Sequence, residues 1–129
     1  MKFENIRVMN FENALRGMRN PKESYHLIDS VFGLGTRDKY VGAINDVANK
    51  YVERDREQGK EVTNDTLAFY ADQLRDNGEL YVNGDILEFA LVGPNDMKLA
   101  QSLIRGGSEH RKFMRQIFVS VDITAPLYW

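Results

Sequence analysis

The chain has 129 residues, a net charge of −2 and no cysteine. This length suits one domain with its own core, and the charge gives no general basic surface for nucleic acid or membrane. The lack of cysteine excludes disulfides, thiolate metal sites and cysteine nucleophiles, and two distant histidines argue against a histidine-rich metal site. We expect a cytoplasmic protein, because no stretch has the pattern of a membrane span or signal peptide.

The first part of the chain, residues 1–35, predicts one strand, then a turn-rich stretch, then a short apolar run closed by Gly33 and Gly35. Residues 2–10 carry spaced apolar side chains and favour a strand. The following ALRGMRNPKES is rich in turn residues and contains Arg16 and Arg19, which predict a loop salt bridge or contacts with a ligand or partner subunit. Residues 33–35 lack the strand-to-helix context of a dinucleotide-binding fingerprint and predict a turn.

Residues 36–77 predict a helical hairpin. Apolar residues at helical spacing make one stripe: Tyr40, Val41, Ile44, Val47, Ala48, Tyr51 and Val52. The polar stretch ERDREQGK follows and is expected to project into solvent. A second helix is capped by Thr63 or Asn64 and ends before Gly78.

Residues 79–105 predict a β-hairpin and a helix. Asn83-Gly84 between two apolar runs favours a type I′ turn joining strands 80–82 and 85–92. A helix is predicted from Asn95 or Asp96 to Arg105. Its inward residues are expected to be Met97, Ala100, Leu103 and Ile104.

After Gly106-Gly107, Ser108 is predicted to cap a short helix containing Glu109, His110 and Arg111. Residues 117–123 alternate as in a strand with one well-buried face. Thr124 is predicted to cap a further helix. The apolar residues that follow are expected to be buried, covered by a partner, or continued by more chain: Leu127, Tyr128 and Trp129. We therefore expect a homo-oligomer.

Together these patterns predict an α+β fold, with a small mixed or antiparallel sheet packed by helices. We expect a single domain, residues 1–129, in which residues 36–77 are a helical insertion.

The C-terminal order of elements carries a resemblance to a known family. Ser108, Glu109 and His110 stand where that family has a Leu-Glu-His or similar segment. Residues 116–123 correspond to its next strand, and residues 124–129 to the opening of its next helix. Residues 93–129 thus resemble the flavin-dependent thymidylate synthases, more narrowly their divergent synthase-like relatives. The arginine-histidine-arginine signature of the family would follow Trp129, and the hairpin 36–77 has no counterpart.

The resemblance implies FAD and dUMP sites between the subunits of a tetramer, and methylation of uracil with a folate carbon. It implies cofactor-binding roles for Arg105, Ser108, His110, Arg111 and Arg115. Arginines and helix-start amides suit phosphate groups, and these cations, with Lys112, surround a Gly-Gly turn. The alternative for the cations is a solvated basic face at helix ends. For His110, the alternatives are a flavin or phosphate contact and simple packing at a helix–strand junction.

Two functions follow. The first is a flavin- or nucleotide-binding protein of this type, with no catalytic residue assigned because the signature is absent from the chain. FAD is the implied cofactor, and no metal is expected. The alternative is a non-catalytic interaction or inhibitor protein, such as a phage or mobile-element product. It would bind a macromolecule, with the 36–77 hairpin as a protein contact, or sequester a nucleotide.

Overall fold

Four α-helices and five strands follow one another in the computed structural model, which describes residues 1–19, 24–107 and 110–126. The strands are β1 (Lys2–Met9), β2 (Val31–Thr36), β3 (Glu79–Asn83), β4 (Ile86–Leu91) and β5 (Phe118–Thr124). The helices are α1 (Phe11–Arg19), α2 (Arg37–Glu57), α3 (Asn64–Asn77) and α4 (Pro94–Arg105), with short 3-10 helices at Tyr25–Leu27 and Lys112–Gln116. An antiparallel sheet has the order β2-β4-β3, and β1 and β5 form a separate antiparallel ribbon. The predicted α+β class is confirmed, with antiparallel sheets.

The core lies between α2 and one face of the three-stranded sheet. The pleat of β4 turns Leu87, Phe89 and Leu91 to this face, where all three are buried. Their partners on α2 recur every three or four residues: Tyr40, Ile44, Val47 and Tyr51. The predicted stripe on α2 is confirmed except at Val41, which is exposed.

Helix α3 packs beside α2, so the predicted helical hairpin is confirmed. Three of its side chains pack against the core: Tyr70, Ala71 and Leu74. At its start, the Thr66 hydroxyl accepts a hydrogen bond from the Thr63 N–H at 3.2 Å. At its end, Gly78 has no room for a side chain, because a Cβ there would lie 2.6 Å from Leu91 Cδ2.

The turn between β3 and β4 is shifted by one residue from the prediction. Asn83 belongs to β3 and pairs with Ile86, so the two-residue loop is Gly84-Asp85. Of these two residues Gly84 alone has positive φ, +60°. The predicted type I′ turn is therefore wrong, and glycine in the first loop position is the pattern of type II′. The pairing of β3 with β4 keeps Leu87 on the core side of the sheet, and a shift by one residue would turn it to the other face.

The turn-rich stretch predicted at residues 14–24 is wrong over residues 14–19, because residues 11–19 form α1. The helix buries Ala14, Leu15 and Met18, whose spacing is helical. Its buried face depends on packing against other elements, among them α4 and the 3-10 helix Lys112–Gln116. A nine-residue segment is too short for its own pattern to outweigh neighbouring turn residues.

The predicted turn at residues 33–35 is also wrong, since β2 runs through both glycines and pairs with β4 along its whole length. Glycine is suited to this strand position because its cross-strand partner is Phe89. A Cβ at Gly33 would lie 2.5 Å from Cζ of Phe89, so the missing side chain leaves space for that buried ring.

The β1–β5 ribbon is exposed on both faces. Its register sets Phe3 opposite Ile123 and Val8 opposite Val119, with a bulge between Glu4 and Arg7. Val119 is 62% exposed, and Phe3, Phe118 and Ile123 are exposed as well. The expected well-buried face of β5 is wrong, because β5 pairs with β1 and no second layer of the described chain covers it.

Arg7 attaches the ribbon to the three-stranded sheet. Its guanidinium lies 3.5 Å from Oε2 of Glu88 on β4 and 4.8 Å from the centre of the Tyr81 ring on β3. The two sheets meet where β1 passes β3, and Arg7 links the two at this contact.

A buried polar joint connects α1, α4 and the segment before β2. The guanidinium of Arg19 donates to Oδ1 of Asp96 at 2.8 and 3.1 Å, and both side chains are buried. The Ser30 hydroxyl donates to the other oxygen of Asp96 at 2.5 Å. Asp29 caps α4, accepting from the N–H groups of Asn95 at 2.7 Å and of Asp96 at 3.1 Å. Arg19 thus lies on a helix and in a buried ion pair, and its expected loop location is wrong.

Helix α4 begins at Pro94, just before the predicted start at Asn95 or Asp96, and ends at Arg105 as predicted. Of the side chains expected to face inward, Ile104 is exposed, which corrects that assignment. The helix predicted to start at Thr124 falls largely on residues 127–129, outside the described residues, and Thr124 itself ends β5.

Candidate functional site

The residues implied by the family resemblance surround the end of α4. Arg105 is the last residue of the helix, and Gly107 has a φ of +105° that favours glycine. The N–H of His110 donates to the carbonyl of Gly107 at 3.1 Å. A Cβ on Gly106 would lie 3.0 Å from Cδ2 of His110, so the imidazole rests on this glycine. His110 therefore packs at the helix end while remaining exposed.

Arg111 and Arg115 continue this surface, Arg111 just before the 3-10 helix Lys112–Gln116 and Arg115 within it. Both are exposed, as is Arg105. The ion pairs formed among the described residues involve other cations. Ser108 lies outside the described residues. We call Arg105, His110, Arg111 and Arg115 the basic surface; its cations are accessible to an anion from solvent.

The larger concave surfaces of the described chain lie away from the basic surface. One of about 800 Å³ separates the start of α1 from the outer face of the three-stranded sheet. Its lining includes Arg7, Phe11, Phe32, Leu34, Tyr81, Ile86 and Glu88. None of these lining residues belongs to the basic surface.

A smaller cleft of about 280 Å³ lies between α2, α3 and α4, beside the end of β4. Its lining residues are Tyr51, Arg54, Tyr70, Gln73, Leu74, Asn77, Gly78, Ala90, Val92, Met97 and Gln101. We call it the α3–α4 cleft. It was not predicted from the sequence, because its walls come from four elements that only the fold brings together.

One wall of the cleft is a network of aromatic and charged side chains. The rings of Tyr51 and Tyr70 stack with centroids 5.0 Å apart and planes 22° apart. The guanidinium of Arg54 lies 5.1 Å from the Tyr51 ring and donates to Asp55 at 3.0 Å. The hydroxyl of Tyr70 donates to the other oxygen of Asp55 at 2.6 Å. Asp55 is 5% exposed, so the expectation that this polar stretch projects wholly into solvent is wrong at this residue.

These contacts set the protonation states of the wall. Burial raises the pKa of Tyr51 to about 12, and the charge of Asp29 adds to the rise. The hydrogen bond from Tyr70 holds the pKa of Asp55 below its ordinary value, against the opposing effect of burial. Burial and the same hydrogen bond raise the pKa of Tyr70. At neutral pH both tyrosines are therefore uncharged donors, and Asp55 is an anion beside the Arg54 cation.

A scan against protein-family models and searches of curated proteins and of solved structures find no match to this chain. Among the described helices, none has the length and apolar character needed to cross a bilayer. The described histidine, aspartate and glutamate side chains form no group of three that could hold a metal ion.

Proposed function

We propose that this chain is a nucleotide-binding protein of the flavin-dependent thymidylate synthase type, which holds the diphosphate of FAD on the basic surface. The observation that supports this function is the exposure of Arg105, Arg111 and Arg115 around one Gly-Gly turn, free of ion pairs with the described acidic residues. Guanidinium groups bind phosphate oxygens in pairs and keep their charge at any physiological pH.

The proposed FAD site lies between two copies of the chain. The basic surface is open on one side, and the family resemblance implies sites at subunit interfaces. The exposed apolar strand β5 begins two residues after the 3-10 helix that carries Arg115. A second copy docked on β5 would supply the missing wall. The proposal concerns binding and assigns no catalytic residue, because the 129 residues do not contain the family's arginine-histidine-arginine signature.

Titration of the chain with FAD, followed by flavin fluorescence, tests this function. We expect saturable binding, and we expect Arg111→Ala to raise the Kd about ten- to a hundred-fold, since a hydrogen bond to a charged group contributes about 1.5–3 kcal/mol. Lys98→Ala is the matched control, because Lys98 is an exposed cation on α4 outside the basic surface. A folded chain that does not bind FAD, or equal Kd values for the two variants, would refute the proposal.

A second candidate function is that of a non-catalytic interaction protein that assembles by strand pairing. The observation that favours it is the free edge of β5. One edge bonds to β1, and no strand of the described chain pairs with the other. The sequence FVSVDIT has none of the lysines or prolines that protect edge strands from pairing.

The occupant that fits this edge is a second copy of β5. In an antiparallel pair centred on Val121, Asp122 of each copy stands opposite Ser120 of the other. Asp122 is the only charged residue of the strand, and in this register it does not face the Asp122 of the other copy. The pair therefore avoids the destabilising contact of two like charges directly opposite each other. Such a dimer would be a homo-oligomer, as expected from the sequence, and the proposed FAD site also requires a second copy of the chain.

The loop of the helical hairpin, residues 58–63, is almost wholly exposed, whereas the helices on either side pack on the core. A protein partner at this hairpin remains a prediction from the sequence. The loop is the part of the hairpin that a partner would reach.

A further inference from the structure

The aromatic wall of the α3–α4 cleft is held in place by hydrogen bonds at both tyrosines. The hydroxyl of Tyr51 donates to the carbonyl of Val92 at 2.6 Å, and that of Tyr70 donates to Asp55 at 2.6 Å. Both hydroxyls are therefore occupied, and the stacked rings contribute flat apolar surface. An aromatic ligand ring gains affinity on such a surface by stacking or edge contact.

The rest of the lining adds polar, uncharged side chains. It carries the carboxamides of Gln73, Asn77 and Gln101. Among the described residues, the side chains of Gln73 and Gln101 have no hydrogen-bond partner, and Asn77 uses only its Nδ2, which donates to the main-chain carbonyl of Gln73 at 2.9 Å. Each carboxamide offers both a donor and an acceptor. Together they match a ligand that carries both hydrogen-bond donors and hydrogen-bond acceptors on its edge.

The charge of the cleft is balanced. Arg54 is the cation of the lining, and it is paired with Asp55 at 3.0 Å. No charge is left over to attract a strongly anionic or cationic ligand. Met97 adds a soft apolar contact on the α4 side. The ligand that matches these groups is uncharged and planar.

The size of the cleft restricts the ligand further. Drug-sized molecules occupy sites of about 300–1,000 Å³, and the α3–α4 cleft has about 280 Å³. It therefore has room for one or two fused rings and little more.

We propose that the α3–α4 cleft binds a flat, uncharged heterocycle of one or two rings with hydrogen-bond donors and acceptors on its edge, which is the chemistry of a nucleobase or of nicotinamide. Most of the cleft belongs to the hairpin formed by α2 and α3, the part of the chain without a counterpart in the resembled family. None of the residues that line the cleft belongs to the basic surface, so the proposal stands whether or not FAD binds there.

Nuclear magnetic resonance of the whole chain with ¹³C-methyl methionine tests the proposal. Adenine, cytosine and nicotinamide are the probes, and toluene is the apolar ring for comparison. We expect at least one heterocycle to shift the Met97 methyl signal saturably, and more tightly than toluene does. We expect Gln101→Leu to weaken that binding about ten-fold, because a ligand group loses its hydrogen-bond partner. Gln58→Leu, at an exposed glutamine in the hairpin loop, is expected to leave it unchanged.

Comparing adenine with adenosine monophosphate shows whether the cleft binds the free base or the base of a nucleotide. Gln101 and Arg105 lie one turn apart on α4 and so share a face. Tighter binding of the monophosphate that is lost in Arg105→Ala identifies a nucleotide, and equal binding identifies the free base; either result supports the cleft. A folded chain whose Met97 signal does not respond to any heterocycle overturns the proposal. The proposal is also overturned if Gln101→Leu binds the heterocycle with unchanged affinity, or if toluene binds as tightly as the heterocycles.

Discussion

The carboxylate of Asp96 is fully buried, and it accepts hydrogen bonds from the Arg19 guanidinium, the Ser30 hydroxyl and two main-chain N–H groups. Its partners lie 66 to 77 residues away in the sequence. The side chain thereby fixes the start of α4 against α1 and the segment before β2. A buried charge of this kind is stable only while every partner is present, since an unpaired ion in the interior is strongly unfavourable.

Asp96→Asn is expected to lower the free energy of unfolding by about 3–5 kcal/mol, because it leaves the buried Arg19 charge without a counter-ion. Urea denaturation followed by circular dichroism measures the change. Asp72→Asn is the matched control. It removes an exposed ion pair with Arg75 at 3.4 Å and is expected to cost less than about 1 kcal/mol. Similar losses in the two variants would contradict this account of the joint.

At the scale of the elements, Gly42 and Gly78 differ in the space that a side chain would have at each position. Gly42 lies within α2, and a Cβ built there meets nothing within 4 Å. Gly78 follows α3, and a Cβ there would lie 2.6 Å from Leu91 Cδ2 and 2.7 Å from the carbonyl of Leu74. The first glycine therefore only adds flexibility to a helix, whereas the second allows the end of α3 to pack directly on β4.

Gly42→Ala and Gly78→Ala are accordingly expected to act in opposite directions. Alanine at residue 42 raises helix propensity and is expected to stabilise the chain by about 0.5–1 kcal/mol. Alanine at residue 78 overpacks the core and is expected to destabilise it by about 1–3 kcal/mol. Thermal and urea unfolding of both variants provide the measurement. A stabilised Gly78→Ala variant would show that α3 does not pack on β4 as described.

At the scale of the whole molecule, the apolar surface is unevenly distributed. The three-stranded sheet buries one face under α2, but the ribbon leaves large apolar side chains exposed: Phe3, Ile6, Phe118, Val119 and Ile123. Val119 and Ile123 lie on one face of β5 and Phe118 on the other, and exposed apolar side chains grouped in this way suit an interaction site. Pairing of β5 with a second copy would bring two ribbons together and extend this surface across both.

Val119→Lys is expected to shift the chain from dimer to monomer, because it adds a charge beside the free edge of β5. Light scattering coupled to size-exclusion chromatography at several protein concentrations measures the shift. Val41→Lys changes an exposed valine on α2 in the same way and is expected to leave the dimer intact. If the unaltered chain is a monomer at every concentration, pairing with a second copy is ruled out. A dimer that survives Val119→Lys would show that another surface holds the copies together.

The residues of the basic surface were grouped together from the sequence, whereas the α3–α4 cleft was not predicted. Arg105, His110, Arg111 and Arg115 are close in sequence, so a shared surface at the end of α4 follows from one helix stop at Gly106-Gly107. The cleft joins residues from 51 to 101, and no local pattern connects them. The buried Asp55 was missed for the same reason, since its partner Tyr70 lies on the next helix.

The sequence by itself determined the elements whose pattern is local. The stripe on α2, the start of α3 at Thr63 or Asn64 and the end of α4 at Arg105 all depend on residues within a few positions of one another, and the helical period makes such patterns easy to recognise in a sequence. Only the tertiary structure decided that residues 11–19 form a helix, that β2 passes through Gly33, and that β5 is covered on neither face. Those outcomes depend on contacts with distant residues, such as Phe89 over Gly33, and a residue's neighbours in space are not encoded in its neighbours along the chain.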